Sequence, residues 1–96
     1  MIDLSEQHHQ LVSRILHRRF PDRQARIFGS RANGSAKPWS DLDLVILGSQ
    51  PVNDLALAEA RADFEESDLP FRVDLNLWCD LPDSMQQTIN RSSQAL

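Results

Sequence analysis

The stretch that most limits how this chain can fold runs from Leu42 to Leu47. Leu44-Val45-Ile46-Leu47 is apolar without interruption, ends at Gly48, and is preceded by Asp41-Leu42-Asp43. A strand sends successive side chains to opposite faces, so an unbroken apolar run needs cover on both. In 96 residues the economical solution is a small sheet with helices packed on it, an α/β or α+β architecture.

The remaining elements can be read around that strand. The spacing predicts a helix from Leu4 to Arg19, capped by Ser5, with Leu11, Val12, Ile15 and Leu16 as its apolar stripe. Pro21 ends it, because the residue before a proline avoids helical geometry. Ala25 to Phe28 reads as a short strand that stops at Gly29-Ser30, and the polar stretch beyond can open as a short helix. A second helix is expected from Asn53 or Asp54 to about Ser67, with Leu55, Ala58 and Ala62 inward. Phe71 to Trp78 alternates: Phe71, Val73, Leu75 and Leu77 share one face, and Arg72, Asp74, Asn76 and Trp78 the other. A last helix starts near Asp80 or Asp83 with a narrow stripe at Met85 and Ile89, and Ser92-Ser93-Gln94 is expected to fray.

Length and composition fit one domain over residues 1–96. The chain is 41% hydrophobic and 25% charged, ordinary values that argue against disorder. No apolar run approaches the roughly 20 residues of a membrane span, and MIDLSEQHHQ lacks the pattern of a secretory leader. The single cysteine, Cys79, rules out an internal disulfide and a cysteine-cluster zinc site. A soluble, cytoplasmic protein is therefore expected.

Net charge is −4, which disfavours direct nucleic-acid binding. Residues 1–40 nevertheless carry a balance of +4 and residues 41–96 one of −8. Nine of the ten basic residues are arginine, whose planar fork suits phosphate or carboxylate. Arg14, Arg18, Arg19, Arg23 and Arg26 cluster near the first helix, as a solvated face, a docking surface or support for a polyphosphate.

Three carboxylates then stand out. Alternation puts Asp41 and Asp43 on one face, with Cβ atoms about 6.5–7 Å apart. Carboxylates so close repel unless a cation neutralises them, and oxygen ligands at this separation suit Mg²⁺, which also takes water and substrate phosphates. Asp74 sits on the polar face of the later strand and joins them if the two strands are neighbours. Upstream, Gly29 lets backbone approach a phosphate closely and Ser30 offers an N–H and a hydroxyl. Arg31 can add charge-assisted contacts. Taken singly, an Asp-x-Asp pair is an ordinary strand edge and a Gly-Ser an ordinary turn. The combination is what carries chemistry.

That combination, GSRANGSAKPWSDLDLVIL followed by FRVDLNLW, resembles the nucleotidyltransferase superfamily that includes DNA polymerase beta. It is most similar to the minimal nucleotidyltransferases, the antitoxin halves of HEPN/MNT toxin–antitoxin modules, and covers nearly the whole chain. The resemblance implies that Asp41 and Asp43 hold two Mg²⁺ ions. Asp74 would ligate the second ion and help deprotonate the acceptor hydroxyl. Gly29 and Ser30, with Arg31 and Ser40 beside them, would bind ATP. It further implies AMP transfer to a tyrosine of a partner HEPN ribonuclease, with release of pyrophosphate. The chain has no tyrosine, consistent with an acceptor on another protein. Asn33 stands where many relatives carry a basic residue, and no residue here evidently binds adenine. The helical acceptor domain of larger superfamily members has no counterpart, which favours a partner-dependent reading. The competing expectation is a non-catalytic antitoxin that neutralises its toxin by occlusion. A small-molecule or RNA acceptor is disfavoured by the acidic second half.

Several conspicuous side chains are read as structural. His8, His9 and His17 fall on the first helix as solvated positions. Trp39 is expected to pack, with base or partner stacking as the alternative. Trp78 is a partner contact or a core edge. Cys79 is expected to be a small buried apolar residue, since no neighbour activates it.

Overall fold

A computed structural model of the chain describes residues 3–96; Met1 and Ile2 of the opening segment lie outside the described residues. The elements are α1 (Glu6–Arg19), β1 (Ala25–Phe28), α2 (Ser30–Asn33), β2 (Leu42–Ile46), α3 (Asp54–Glu65), β3 (Val73–Leu77), α4 (Asp83–Ser92) and β4 (Gln94–Ala95). The strands form one mixed sheet in the order β3-β2-β1-β4, an α+β arrangement. The β2 strand is central, as its apolar run requires. It pairs antiparallel with β1 (Phe28 opposite Asp43) and parallel with β3 (Asp43 beside Asp74). The parallel pair is joined through α3, because parallel neighbours need a crossover.

The two faces of β2 are covered differently. Leu42, Leu44 and Ile46 enter a core with Val12, Leu16, Ile27, Ala60, Phe64 and Leu75. Val45 of β2 and Ile89 of α4 are fully buried but stand outside that cluster. Ser5 caps α1 by accepting the His8 N–H at 3.1 Å, as read from sequence. Asn53 caps α3 through Oδ1, which accepts the Leu55 N–H at 2.8 Å.

Arg19 fastens α1 to α3. Its guanidinium donates to Asp63 at 2.7 and 3.1 Å and also to Glu59. The hydrogen bond from Arg19 holds the Asp63 carboxyl below its ordinary pKa. Arg23 donates to the Leu47 carbonyl, and Arg26 to the hydroxyl and carbonyl of Ser93. Three of the five clustered arginines are thus internal ties, while Arg14 and Arg18 are exposed.

The structure corrects five expectations. The inner face of α3 is Ala56, Leu57, Ala60 and Phe64, while Leu55, Ala58 and Ala62 face solvent. The helix is apolar most of the way round, and Phe64, the largest side chain, sets its rotation. Trp78 leaves the strand for a 3₁₀ turn (Trp78–Asp80) closed by Leu81 N–H to the Trp78 carbonyl, so it no longer shares a face with Asp74, and Cys79 is exposed. The last residues do not fray: Gln94 and Ala95 pair with β1, and the Gln94 amide donates to the Ala32 carbonyl at 2.6 Å. Trp39 does not pack; it is 72% exposed. Among the described residues no helix is long and apolar enough to cross a membrane.

Candidate active site

The site lies where the sheet's three longer strands bring their polar positions together. Parallel neighbours stand about 4.8 Å apart, so the in-register pair Asp43 and Asp74 shares one face. Asp41 sits exposed, one residue before β2. Asp43 is half-buried. Burial, then the charge of Asp74, then that of Asp41, push its carboxyl above its ordinary pKa. These groups are therefore near enough to repel one another.

Gly29 closes the site from below. The residue after β1 must turn sharply into α2, and Gly29 does so at φ 75°, ψ −154°, a region essentially closed to other residues. A Cβ here would collide with Asp43 Oδ2 and lie 3.3 Å from its Cγ. The glycine is needed twice, for its backbone and for the carboxylate resting on it. Gly29→Ala is expected to cost about 1–3 kcal/mol in strain and to displace Asp43. Thermal unfolding checks this; a melting temperature equal to the native one would refute it.

Ser30 follows at the first position of α2, and among the described residues its N–H finds no acceptor. It is free to donate to a ligand. Arg31 is not. Its side chain is 6% exposed, the sole buried charged one among the described residues. It donates to the carbonyls of Asp3 (3.0 Å), Pro38 (3.1 Å) and Ser40 (3.1 Å), and its guanidinium lies 4.0 Å over the Phe71 ring. The expected phosphate contact is thus replaced by a clamp on the loop that leads to Asp41. Ser40 belongs to the same loop: its hydroxyl accepts the Lys37 N–H at 2.9 Å and its carbonyl receives Arg31. Asn33 accepts the Ser35 N–H at 3.0 Å and shapes the turn after α2.

Among the described residues, no three His, Cys, Asp or Glu side chains already stand in a metal-holding group. The donors are nevertheless hard oxygens that repel one another. Mg²⁺ is commonly held by one or two carboxylates, its shell completed by water and phosphate. Asp43 with Asp41 or Asp74 fits such an ion.

Sequence reasoning missed a cavity of about 430 Å³ beside Asp74, lined among others by Arg61, Phe64 and Phe71. Arg61 lies on α3 between the strands of Asp43 and Asp74 and belongs to no motif, so no local pattern signals it.

Comparison with known proteins bears on the family and the fold. The chain is 38% identical over 90 residues to the probable protein adenylyltransferase MntA of Haemophilus influenzae, across 94% of this chain and 79% of the relative. A crystal structure of a toxin–antitoxin with AMP-PNP superposes with a TM-score of 0.74 at 21% identity, over 90% of this chain and 69% of that one. A mutant toxin–antitoxin MntA–HpeT crystal structure gives a TM-score of 0.74 at 22% identity, over 97% and 72%. These two show the same fold. Residues 10–94, which include the Gly29-Ser30 turn and all three aspartates, match the nucleotidyltransferase domain, and the chain belongs to that family.

Proposed function

We propose that this protein is the antitoxin of a toxin–antitoxin pair and acts by transferring AMP from ATP to a tyrosine hydroxyl of a partner HEPN ribonuclease, releasing pyrophosphate. The observation that carries the reading is the in-register Asp43–Asp74 pair resting against Gly29, next to a free Ser30 N–H. Its support from relatives is the adenylyltransferase name of the Haemophilus protein and the toxin–antitoxin complexes that share the fold.

On this reading Gly29 and Ser30 hold the β- and γ-phosphates. Asp41 and Asp43 hold two Mg²⁺ ions, and Asp74 shares the second. Bound Mg²⁺ neutralises charge on the reacting phosphates and acidifies the attacking hydroxyl. Asp74 receives the hydroxyl proton as the tyrosine oxygen bonds to the α-phosphorus. The bond between that phosphorus and the β-phosphate oxygen breaks, and pyrophosphate leaves. No tyrosine is present in the chain, so the acceptor is supplied in trans, in the cytoplasm where ATP and the partner meet.

The test is transfer from ATP radiolabelled on its α-phosphate to the co-purified partner. The partner is expected to gain label and the mass of AMP. Chelating Mg²⁺ is expected to abolish both. If an Asp41→Asn/Asp43→Asn variant still neutralised the toxin fully, occlusion would replace transfer as the mechanism.

A further inference from the structure

Among the described residues, the most exposed large apolar side chain sits on a closely braced loop. Trp39 is 72% exposed and occupies the tip of a four-residue turn, Lys37 to Ser40. The Ser40 N–H donates to the Lys37 carbonyl at 3.0 Å, and the Lys37 N–H donates back to the Ser40 hydroxyl. Pro38 fills the second position, where its fixed φ suits a turn. From inside, the buried Arg31 donates to the carbonyls of Lys37, Pro38 and Ser40. None of these bonds buries the indole. The Lys37 ammonium lies 5.8 Å from the centre of the indole ring, and among the described residues it forms no ion pair.

Tryptophan is highly buried on average, and an indole left in water forgoes the stabilisation its area would give. A turn braced so as to present one to solvent fits an anchor for another protein. Interface anchors are enriched in tryptophan, and one already held in place loses little freedom on binding. The position fits as well. Trp39 is two residues from Asp41, at most about 7 Å along the chain. A standard interface covers about 800 Å² a side, a disc of about 16 Å radius. An acceptor protein seated over the carboxylates therefore covers the turn too.

We propose that the Pro38–Trp39 turn is the anchor by which the acceptor protein docks beside the site. The indole enters an apolar recess on that protein, and Lys37 meets a carboxylate at the rim of the recess. The inference rests on the transfer proposed above, which puts the acceptor tyrosine on another protein.

The test is titration of the partner onto the full chain without ATP, so that binding is read apart from chemistry. Trp39→Ala is expected to weaken binding by about 30-fold or more, and Trp39→Phe by much less. Lys37→Glu is expected to weaken it by a margin that shrinks as salt is raised. The melting temperature of Trp39→Ala is expected to stay within about 2 °C of the native one, because the indole is exposed. In transfer assays the loss is expected in the KM for the partner and not in that for ATP. Trp39→Ala binding within threefold of the native chain, or losing affinity only in step with stability, would overturn the anchor. A raised KM for ATP, with Trp39 fluorescence quenched by ATP, would overturn it in favour of base stacking. Binding and transfer also fail separately. If Trp39→Ala loses affinity but the native chain transfers no label, the transfer reading falls and the anchor stands. If the native chain transfers label and Trp39→Ala binds normally, the anchor alone falls.

Discussion

Replacing Asp43 with asparagine is expected to stop AMP transfer and, at the same time, to stabilise the fold. The carboxylate is half-buried, and its pKa is raised by burial and by two like charges. A raised carboxyl pKa means that the folded state binds this proton more tightly than the unfolded one. Stability then falls as pH climbs from the ordinary value of 3.8 through the raised folded value, and the penalty persists at neutrality. Asparagine removes that penalty while keeping the shape. The variant is expected to melt a few degrees higher at neutral pH and to lack the wild type's gain in stability as acid is added within that window. Below it, loss of the Arg19–Asp63 pair destabilises both proteins alike, because the Asp63 pKa is lowered. Transfer is expected to drop by about 10³-fold, or about 4 kcal/mol of barrier. Added Mg²⁺ is expected to raise the melting temperature of the wild type and not of the variant. Thermal scans against pH, with and without Mg²⁺, and single-turnover transfer measure all of this. A variant no more stable than wild type, or one retaining transfer within tenfold, would contradict it. Opposite signs for stability and activity are what a charge retained for chemistry should give.

What sequence conveyed about this fold depended on how locally each feature is encoded. The two-sided apolar run of β2 was legible because it demands cover whatever surrounds it, and alternation correctly put Asp43 on the face opposite Leu42 and Leu44. The turn at Gly29 was legible because few residues follow a strand so abruptly. The rotation of α3 was not. Leu55, Ala56, Leu57, Ala58, Ala60 and Ala62 offer several faces of similar hydrophobicity, and only packing of Phe64 against the sheet selects one. The β4 strand was illegible for a related reason. Ser92-Ser93-Gln94 has no strand pattern, and its order comes from Arg26 and the Ala32 carbonyl, contacts some 60 residues distant. At the site, the aspartates and Gly29-Ser30 were visible as residue types at fixed spacing. Arg31 was visible too, but with the wrong partners, since nothing local says that its donors meet carbonyls from two separate segments.

Arg31 therefore provides the second large effect. Arg31→Ala is expected to destabilise the protein by about 2–4 kcal/mol, because it strips a charged donor from several backbone acceptors at once. For a chain of this size that is a fall in melting temperature of roughly 10–20 °C. The loss is expected to reach chemistry as well, since the clamped carbonyls of Pro38 and Ser40 lead directly into Asp41. It is expected in kcat and in Mg²⁺ dependence, more than in the KM for ATP. Arg31→Lys separates this clamp from a phosphate-binding role. A lysine is a serviceable point charge for phosphate but cannot reach three carbonyls and stack on Phe71 together. If Arg31 is a clamp, lysine recovers little of the melting temperature. If it contacted phosphate instead, lysine would restore most of the ATP affinity, and alanine would leave the melting temperature nearly unchanged. Thermal unfolding and transfer kinetics on the two variants decide between a loop held in place from within and a ligand held directly.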